Sequence, residues 1–169
     1  AALGLDIVRK AAAGAATDIV CANIEGFVPY LRINKAEGKL KVLITSVMDP
    51  QLVKLFKLKD VVAEDPIKVI RNLQKTIKHD IFILILHAQG ERIQELLAEC
   101  SGIDLVIDGE TGKIEKETKI IHGKALVRNN YGGKYVGYVD LQKDAENISK
   151  LKVSQPALTR VSAKEVDEN

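Results

Sequence analysis

The chain has 169 residues, which is enough for one domain of ordinary size and too little for two large ones. Hydrophobic residues make up 46% and charged residues 28%, so wholesale disorder is excluded. With 25 Lys and Arg against 23 Asp and Glu, the net charge of +2 gives no reason to expect a nucleic-acid or other polyanion-binding protein. Aromatic residues are scarce at 4%, which argues against a base-stacking platform.

The first third of the chain alternates helical and extended patterns. Leu5, Val8, Ala12 and Ala15 recur at helical spacing, and Gly38 falls where a hairpin needs it. The expected elements are a helix over roughly 4–15, strands at Ile19–Ala22, Tyr30–Asn34 and Leu40–Val47, and a short amphipathic helix over 51–58.

The middle of the chain predicts helix, strand, helix, strand. Asp65 and Pro66 are suited to the N-cap and first position of a helix that runs to His79. The run Ile81–Leu86 is continuously apolar, as in a parallel strand covered on both faces. A helix over 91–99 and a strand at Leu105–Ile107 complete a βαβ unit over 81–108, with the two strands as parallel neighbours.

Beyond residue 112 the pattern changes to short strands, expected at 117–121, 124–128, 134–141 and 148–153 as a β meander. The predicted fold class is therefore α/β, with the βαβ unit followed by antiparallel C-terminal strands. We expect one domain over 1–155 and a polar C-terminal tail over 156–169.

Two cysteines, Cys21 and Cys100, lie outside any CxxC motif and form one bridge or none. No apolar run approaches the ~18 residues of a membrane-spanning helix, so we expect no membrane span. The chain opens at Ala1-Ala2 with neither methionine nor signal peptide, which favours a mature or excised segment over an intact translation product.

Chemistry in an open α/β sheet collects beyond the carboxyl ends of its parallel strands. His87 follows the first apolar strand, and Asp108 and Glu110 follow the second, so we expect all three at one edge. Imidazole with carboxylate suits a divalent metal such as Zn, Mn or Fe. The alternative is a structural His87, hydrogen-bonded to a neighbouring loop carbonyl. We interpret His79 and His122 as structural, and Lys54, Lys57 and Lys59 as a solvated face.

Four stretches, in this order, resemble the 5′-nucleotidase branch of the calcineurin-like metallophosphoesterases. The first runs from Val20 to Ile24 and on through Pro29-Tyr30 to Gly38–Val42, and the second is Asp65-Pro66-Ile67 at the start of a helix. The third, and the most specific, comprises Ile85–Gly90 and Gly102–Gly109, and the fourth is Tyr131–Leu141. The resemblance extends over about residues 4–142 and implies a layered metallophosphoesterase-like sheet.

The resemblance also implies which site residues are present. His87 matches the metal-binding histidine of the third stretch, while Glu110 and Gly112 stand where the family's Gly-His-Thr-His motif has its two histidines. Glu110 retains an oxygen that is able to ligate, whereas Gly112 has no side chain. From the resemblance we expect the family's Asp-x-His and Asn-His-Glu motifs to precede the part represented here, and its base-stacking C-terminal domain to lie outside this part as well.

The favoured hypothesis is a fragment of a 5′-nucleotidase-like, metal-dependent phosphoesterase that is inactive as this isolated chain. Its implied partners are a phosphate-ester or nucleotide substrate, divalent Mn, Zn or Fe, and other domains of the same extracytoplasmic (periplasmic) polypeptide, with no nucleic-acid polymer. Alone, His87 and Glu110 are too few for a tight zinc site and suit only weak, hydrated binding. The first alternative is a non-catalytic binding or scaffolding domain of a larger protein, and the second is an unrelated α/β domain.

Overall fold

A computed structural model describes residues 10, 13–14, 18–35, 40–109, 118–128, 135–143, 151–153 and 157–160. Its helices are α1 (Pro50–Leu55), α2 (Pro66–Thr76) and α3 (Gly90–Glu99). Its strands are β1 (Leu31–Lys35), β2 (Leu40–Met48), β3 (Ile81–His87), β4 (Leu105–Asp108), β5 (Lys119–Ile121), β6 (Lys124–Arg128), β7 (Tyr135–Tyr138), β8 (Leu141–Lys143), β9 (Leu151–Val153) and β10 (Ala157–Arg160).

Six of these strands form one mixed sheet in the order β1-β2-β3-β4-β6-β5. The four inner strands β2, β3, β4 and β6 are parallel, and β1 and β5 close the two edges in antiparallel fashion. The predicted α/β class is therefore confirmed, as is the βαβ unit β3–α3–β4 with its strands as parallel neighbours.

Helix α2 begins where its capping signal predicts. The Asp65 side chain accepts a hydrogen bond of 2.9 Å from the Ile67 N–H, and Pro66 occupies the first turn, where no N–H is needed. Ile70 and Leu73 are buried on the face that meets the sheet. The helix ends at Thr76, three residues before the predicted end, because Ile77 is already extended.

The two faces of the sheet are covered unequally. On the first, which we call the helix face, Phe82, Leu84 and Leu86 are fully buried in one cluster with apolar side chains of α2 and α3. The second face comprises Ile83, Ile85, Leu105, Ile107, Ala125 and Val127. In the described part of the chain, Val139 and Leu141 pack onto it, yet Ile85 on β3 remains 37% exposed.

The predicted strand Ile19–Ala22 is wrong, since only an isolated bridge joins Val20 to Val28. The chain turns at Ala22 and Asn23, and the Asn23 side chain makes the bonds to β2 that a continuing strand would make. Of the predicted helix over 4–15, Lys10 and Ala13-Gly14 are helical, and the remainder lies outside the described residues.

The predicted antiparallel C-terminal strands are confirmed in the pairs β5–β6, β7–β10 and β8–β9, but the prediction that they form one meander is wrong. β6 joins β4 in parallel, β7 pairs with β10, and β8 pairs with β9. The predicted strand 134–141 is divided into β7 and β8, and part of the predicted polar tail forms β10. The sequence Lys124–Val127 is buried throughout, which is the pattern of an inner strand rather than of a half-exposed meander. The boundary between domain and tail stays a prediction.

Candidate functional site at the carboxyl edge of the sheet

The inner strands bring four polar side chains to the end of the sheet where these strands terminate, which we call the carboxyl edge. β2 ends next to Asp49, β3 ends at His87, β4 ends at Asp108 and β6 ends at Arg128. Because the four strands are parallel, their carboxyl ends share this edge, where ligands collect in open α/β sheets. The predicted placement of His87 and Asp108 at one edge is confirmed; Glu110 lies outside the described residues.

His87 is half-buried, and its backbone is held on both sides. It pairs with Met48 across the sheet, and its carbonyl oxygen accepts a 2.9 Å hydrogen bond from the Asp49 N–H. A Cβ placed on Gly109 would lie 3.5 Å from the His87 Nδ1, so the ring packs beside a residue that has no side chain. Within the described residues, no hydrogen bond engages the ring.

Asp108 lies at the same edge but on the opposite face. It is paired with Leu86, so the alternation along β3 directs Asp108 to the helix face and His87 to the second face. The fully buried Asp108 carboxylate accepts a 2.8 Å hydrogen bond from the Arg128 Nε and another from a guanidinium Nη of the same residue. The carboxylate is thus already charge-paired, and imidazole and carboxylate do not converge on one point.

Asp49 is the second buried carboxylate of the edge. It caps α1 by accepting a 3.0 Å hydrogen bond from the Gln51 N–H, and it lies 3.8 Å from the Arg92 Nε. A hydrogen bond to Glu95 raises the pKa of Arg92 above its ordinary value, so this guanidinium stays charged. Beside Asp49 and Gln89 opens a cleft of about 400 Å³, whose lining also includes residues of α1.

The sequence pattern predicts no structural role for Asn23, which is almost fully buried. Its Nδ2 donates to the carbonyl oxygens of Met48 at 2.8 Å and Glu64 at 2.9 Å, and its Oδ1 accepts from the Met48 N–H at 3.0 Å. Asn23 therefore fixes the end of β2, directly beside Asp49 and His87. The only sequence signal for it was its place in the first stretch of the family resemblance.

The remaining candidate residues lie away from the edge or are occupied. His79 follows α2 and has its Nδ1 2.6 Å from the Ile77 carbonyl oxygen. His122 lies in the turn between β5 and β6, at the opposite end of the sheet, where β6 begins. Cys21 and Cys100 are both free thiols, and burial raises the pKa of each.

A metal centre is not complete in the described part of the chain. No group of three or more His, Cys, Asp or Glu side chains there is placed to hold a metal ion. His87 supplies one imidazole, while Asp108 and Asp49 are engaged by Arg128 and by the start of α1. These described residues alone therefore do not fit a metal ion. None of the described helices has the length and apolarity needed to cross a bilayer.

No family model and no curated protein matches the sequence. Several solved structures, however, have a similar fold. A 5′-nucleotidase precursor from Thermus thermophilus is 18% identical with a TM-score of 0.70, over 93% of this chain and 36% of its own. NAD nucleotidase (NadN) from Haemophilus influenzae is 16% identical with a TM-score of 0.68, and the match covers 94% of this chain and 37% of NadN.

The sulfate thiohydrolase SoxB from Thermus thermophilus is 17% identical with a TM-score of 0.71, over 90% of this chain and 30% of that protein. The chain thus spans about a third of the length of each of these proteins. At these identities the likeness concerns the fold, and nearly all of the chain takes part in it. The chain therefore has the fold of one portion of each of these three proteins, which agrees with the metallophosphoesterase-like sheet that the sequence resemblance implied.

Proposed function

We propose that this chain is part of a 5′-nucleotidase-like, metal-dependent phosphoesterase and is inactive by itself. The observation that carries the proposal is His87, a half-buried histidine at the carboxyl edge whose ring is not hydrogen-bonded within the described residues. It is supported by a fold shared with a 5′-nucleotidase precursor and with NadN over more than nine-tenths of the chain.

The position of His87 indicates from which side the site would be completed. Its side chain lies on the second face, where the central strand carries the exposed Ile85. Further sequence packed on this face would cover Ile85 and bring metal ligands beside His87. In that complete protein, divalent metal ions would activate a water and bind the phosphate oxygens of the substrate. Glu110 stays a proposed second ligand.

The substrate class follows from the same neighbours and is equally part of the proposal. We expect a nucleotide or another phosphate ester, hydrolysed outside the cytoplasm, since one neighbour is described as a precursor. Metal binding should weaken in acid, because a protonated imidazole does not ligate.

The first experiment compares the isolated chain with the full-length protein encoded by the gene. Each is assayed with Mn²⁺ on AMP and on an aryl phosphate ester. We expect no turnover by the isolated chain and Mn²⁺-dependent hydrolysis by the full-length protein. In the latter, His87→Ala should lower kcat/KM by at least about 100-fold, the scale expected when a group that holds the reacting centre is lost.

The matched control is His122→Asn, which also removes an imidazole, but at the opposite end of the sheet. Asn tolerates the positive φ of 49° found there, so the turn is retained. His122→Asn should leave hydrolysis unchanged. Turnover by the isolated chain that disappears in His87→Ala would show that the site is complete without further sequence, against our proposal.

A second candidate function is a non-catalytic binding domain of a larger protein. It is favoured by the Asp108–Arg128 pair, because a carboxylate neutralised by an internal guanidinium has less affinity for a metal ion. Calorimetry of the full-length protein with Zn²⁺ and Mn²⁺ distinguishes the two. A stoichiometric metal site that is lost in His87→Ala supports the enzyme. Absence of both metal binding and hydrolysis supports the non-catalytic domain.

A further inference from the structure

The segment 54–62 combines exposed apolar side chains with lysines. Leu55 is 58% exposed, Phe56 47% and Val62 80%, although large apolar side chains normally withdraw from water. Lys54, Lys57 and Lys59 are exposed in the same segment, against one acidic residue, Asp60. We call Lys54–Val62 the lysine–apolar segment; its lysines alone had suggested a solvated face.

The backbone holds this segment in a defined shape. Past the end of α1, the Leu58 N–H donates to the Val53 carbonyl at 3.0 Å and the Lys57 N–H to the Lys54 carbonyl at 3.1 Å. This is a Schellman motif, whose left-handed position is usually glycine but is here Lys57, with φ of 50°. A second left-handed residue, Asp60, follows with φ of 60°. Leu55 and Phe56 therefore lie in a helix end that is closed by backbone hydrogen bonds.

The chemistry of the segment indicates what covers it. Protein–protein interfaces are depleted in Lys, whereas this segment has three lysines among its nine residues. Lysine is a strongly hydrated point charge on a long apolar stem, which suits the headgroup region of a lipid surface. Its positive charge complements anionic headgroups, and Leu55 and Phe56 supply the apolar contact.

We propose that the lysine–apolar segment binds the surface of an anionic lipid bilayer. Leu55 and Phe56 enter the interface, and the three lysines contact the headgroups around them. The surface lies beside the cleft at the carboxyl edge, because Lys54 and Leu55 also line that cleft. The proposal does not depend on catalysis and stands whether or not the protein hydrolyses phosphate esters.

The test uses a single tryptophan as reporter, because the chain contains none. The variant Phe56→Trp is mixed with vesicles of pure phosphatidylcholine or with vesicles that contain phosphatidylglycerol, with and without brominated acyl chains. We expect a blue shift of Trp emission and quenching by bromine only with the anionic vesicles. Both signals should decline as salt is raised, since ions screen exposed charges.

The lysines are tested by Lys54→Gln, Lys57→Gln and Lys59→Gln combined in the Phe56→Trp chain. A lysine near an anionic bilayer contributes a factor of about 5 in affinity, so the triple change should weaken binding about 100-fold. The matched control is Lys68→Gln, Lys75→Gln and Lys78→Gln, three exposed lysines on or just after α2. It changes the net charge equally and should leave binding nearly unchanged.

Three results would overturn the proposal: no response to anionic vesicles, an equal response to neutral ones, or an equal loss in both triple variants. A Trp response to an acidic polypeptide but not to vesicles would assign the segment to a protein partner instead. Circular dichroism of each variant confirms that the comparison is made between folded chains.

Discussion

Asn23 connects three separated parts of the chain through one buried side chain. It bonds both backbone groups of Met48 at the end of β2 and the carbonyl of Glu64 just before α2. A buried polar group left without its partner costs more free energy than an ordinary hydrogen bond contributes. Asn23 therefore stabilises the edge that carries His87, and its removal affects several elements together.

We expect Asn23→Ala to lower the free energy of unfolding by about 3 kcal/mol, because two carbonyls and one N–H lose their partner in a buried place. Urea denaturation followed by circular dichroism measures the change. Asn72→Ala, at an exposed position of α2, is the control and should remain within about 0.5 kcal/mol of the parent. Equal effects of the two variants would contradict the assigned role.

The sequence was sufficient to place His87 but not to describe its surroundings. A histidine directly after a continuous apolar strand must lie at the carboxyl edge, and it does. Which side chains lie beside His87 depends on the register of β3 against β4. The sequence of one strand does not determine this register, because it is set by the pairing of two strands. For the same reason, the pairing of Asp108 with Arg128 could not be predicted, since β6 was expected in a meander.

Element boundaries follow from local chemistry where a strong signal exists. Asp65 and Pro66 gave the start of α2, and the continuous apolar run gave β3. The failures concern segments whose pairing is non-local, such as Ile19–Ala22, where a side chain takes the place of a strand. The end of α1 is a further case, because Lys57 occupies a position for which sequence rules expect glycine.

Lys57→Gly tests the geometry of that helix end. Glycine adopts a positive φ without the strain that a Cβ introduces, so the variant should be more stable by about 1 kcal/mol. Lys59→Gly is the matched control. Lys59 is not in the left-handed region, so glycine there adds only unfolded-state entropy and should destabilise by roughly 0.5–1 kcal/mol. Thermal melts of both variants decide the point, and destabilisation by Lys57→Gly would contradict the Schellman geometry.

At the scale of the whole molecule, the described residues of the sheet are buried more completely on the helix face than on the second face. Parallel sheets are buried on both faces in nearly all proteins, because their crossovers place other elements there. Here the helix face holds the fully buried Leu84, while the adjacent Ile85 is 37% exposed on the second face. This asymmetry agrees with a chain that spans about a third of the length of its structural neighbours.

Substitution of Leu84 and of its neighbour Ile85 measures how differently the two faces of the sheet are buried. In the isolated chain we expect Leu84→Ala to cost about 3 kcal/mol and Ile85→Ala only about 1 kcal/mol, because a partly exposed side chain loses less packing. In the full-length protein the cost of Ile85→Ala should rise towards that of Leu84→Ala. Equal costs in the isolated chain would mean that the second face is already covered.

The strand order also determines how this chain reaches its native state. Within the six-stranded sheet, as far as the chain is described, the two edge pairs β1 with β2 and β5 with β6 join consecutive antiparallel strands, whereas the other pairs do not. Every pairing of the central strand β3 joins segments separated by a helical crossover, such as the connection from Met48 to Ile81. Non-local contacts require loop closure before they stabilise anything, and they slow folding. Formation of the two edge hairpins therefore does not position β3, the strand that carries His87. We expect the pairing of β3 with β2 and β4 to limit the folding rate.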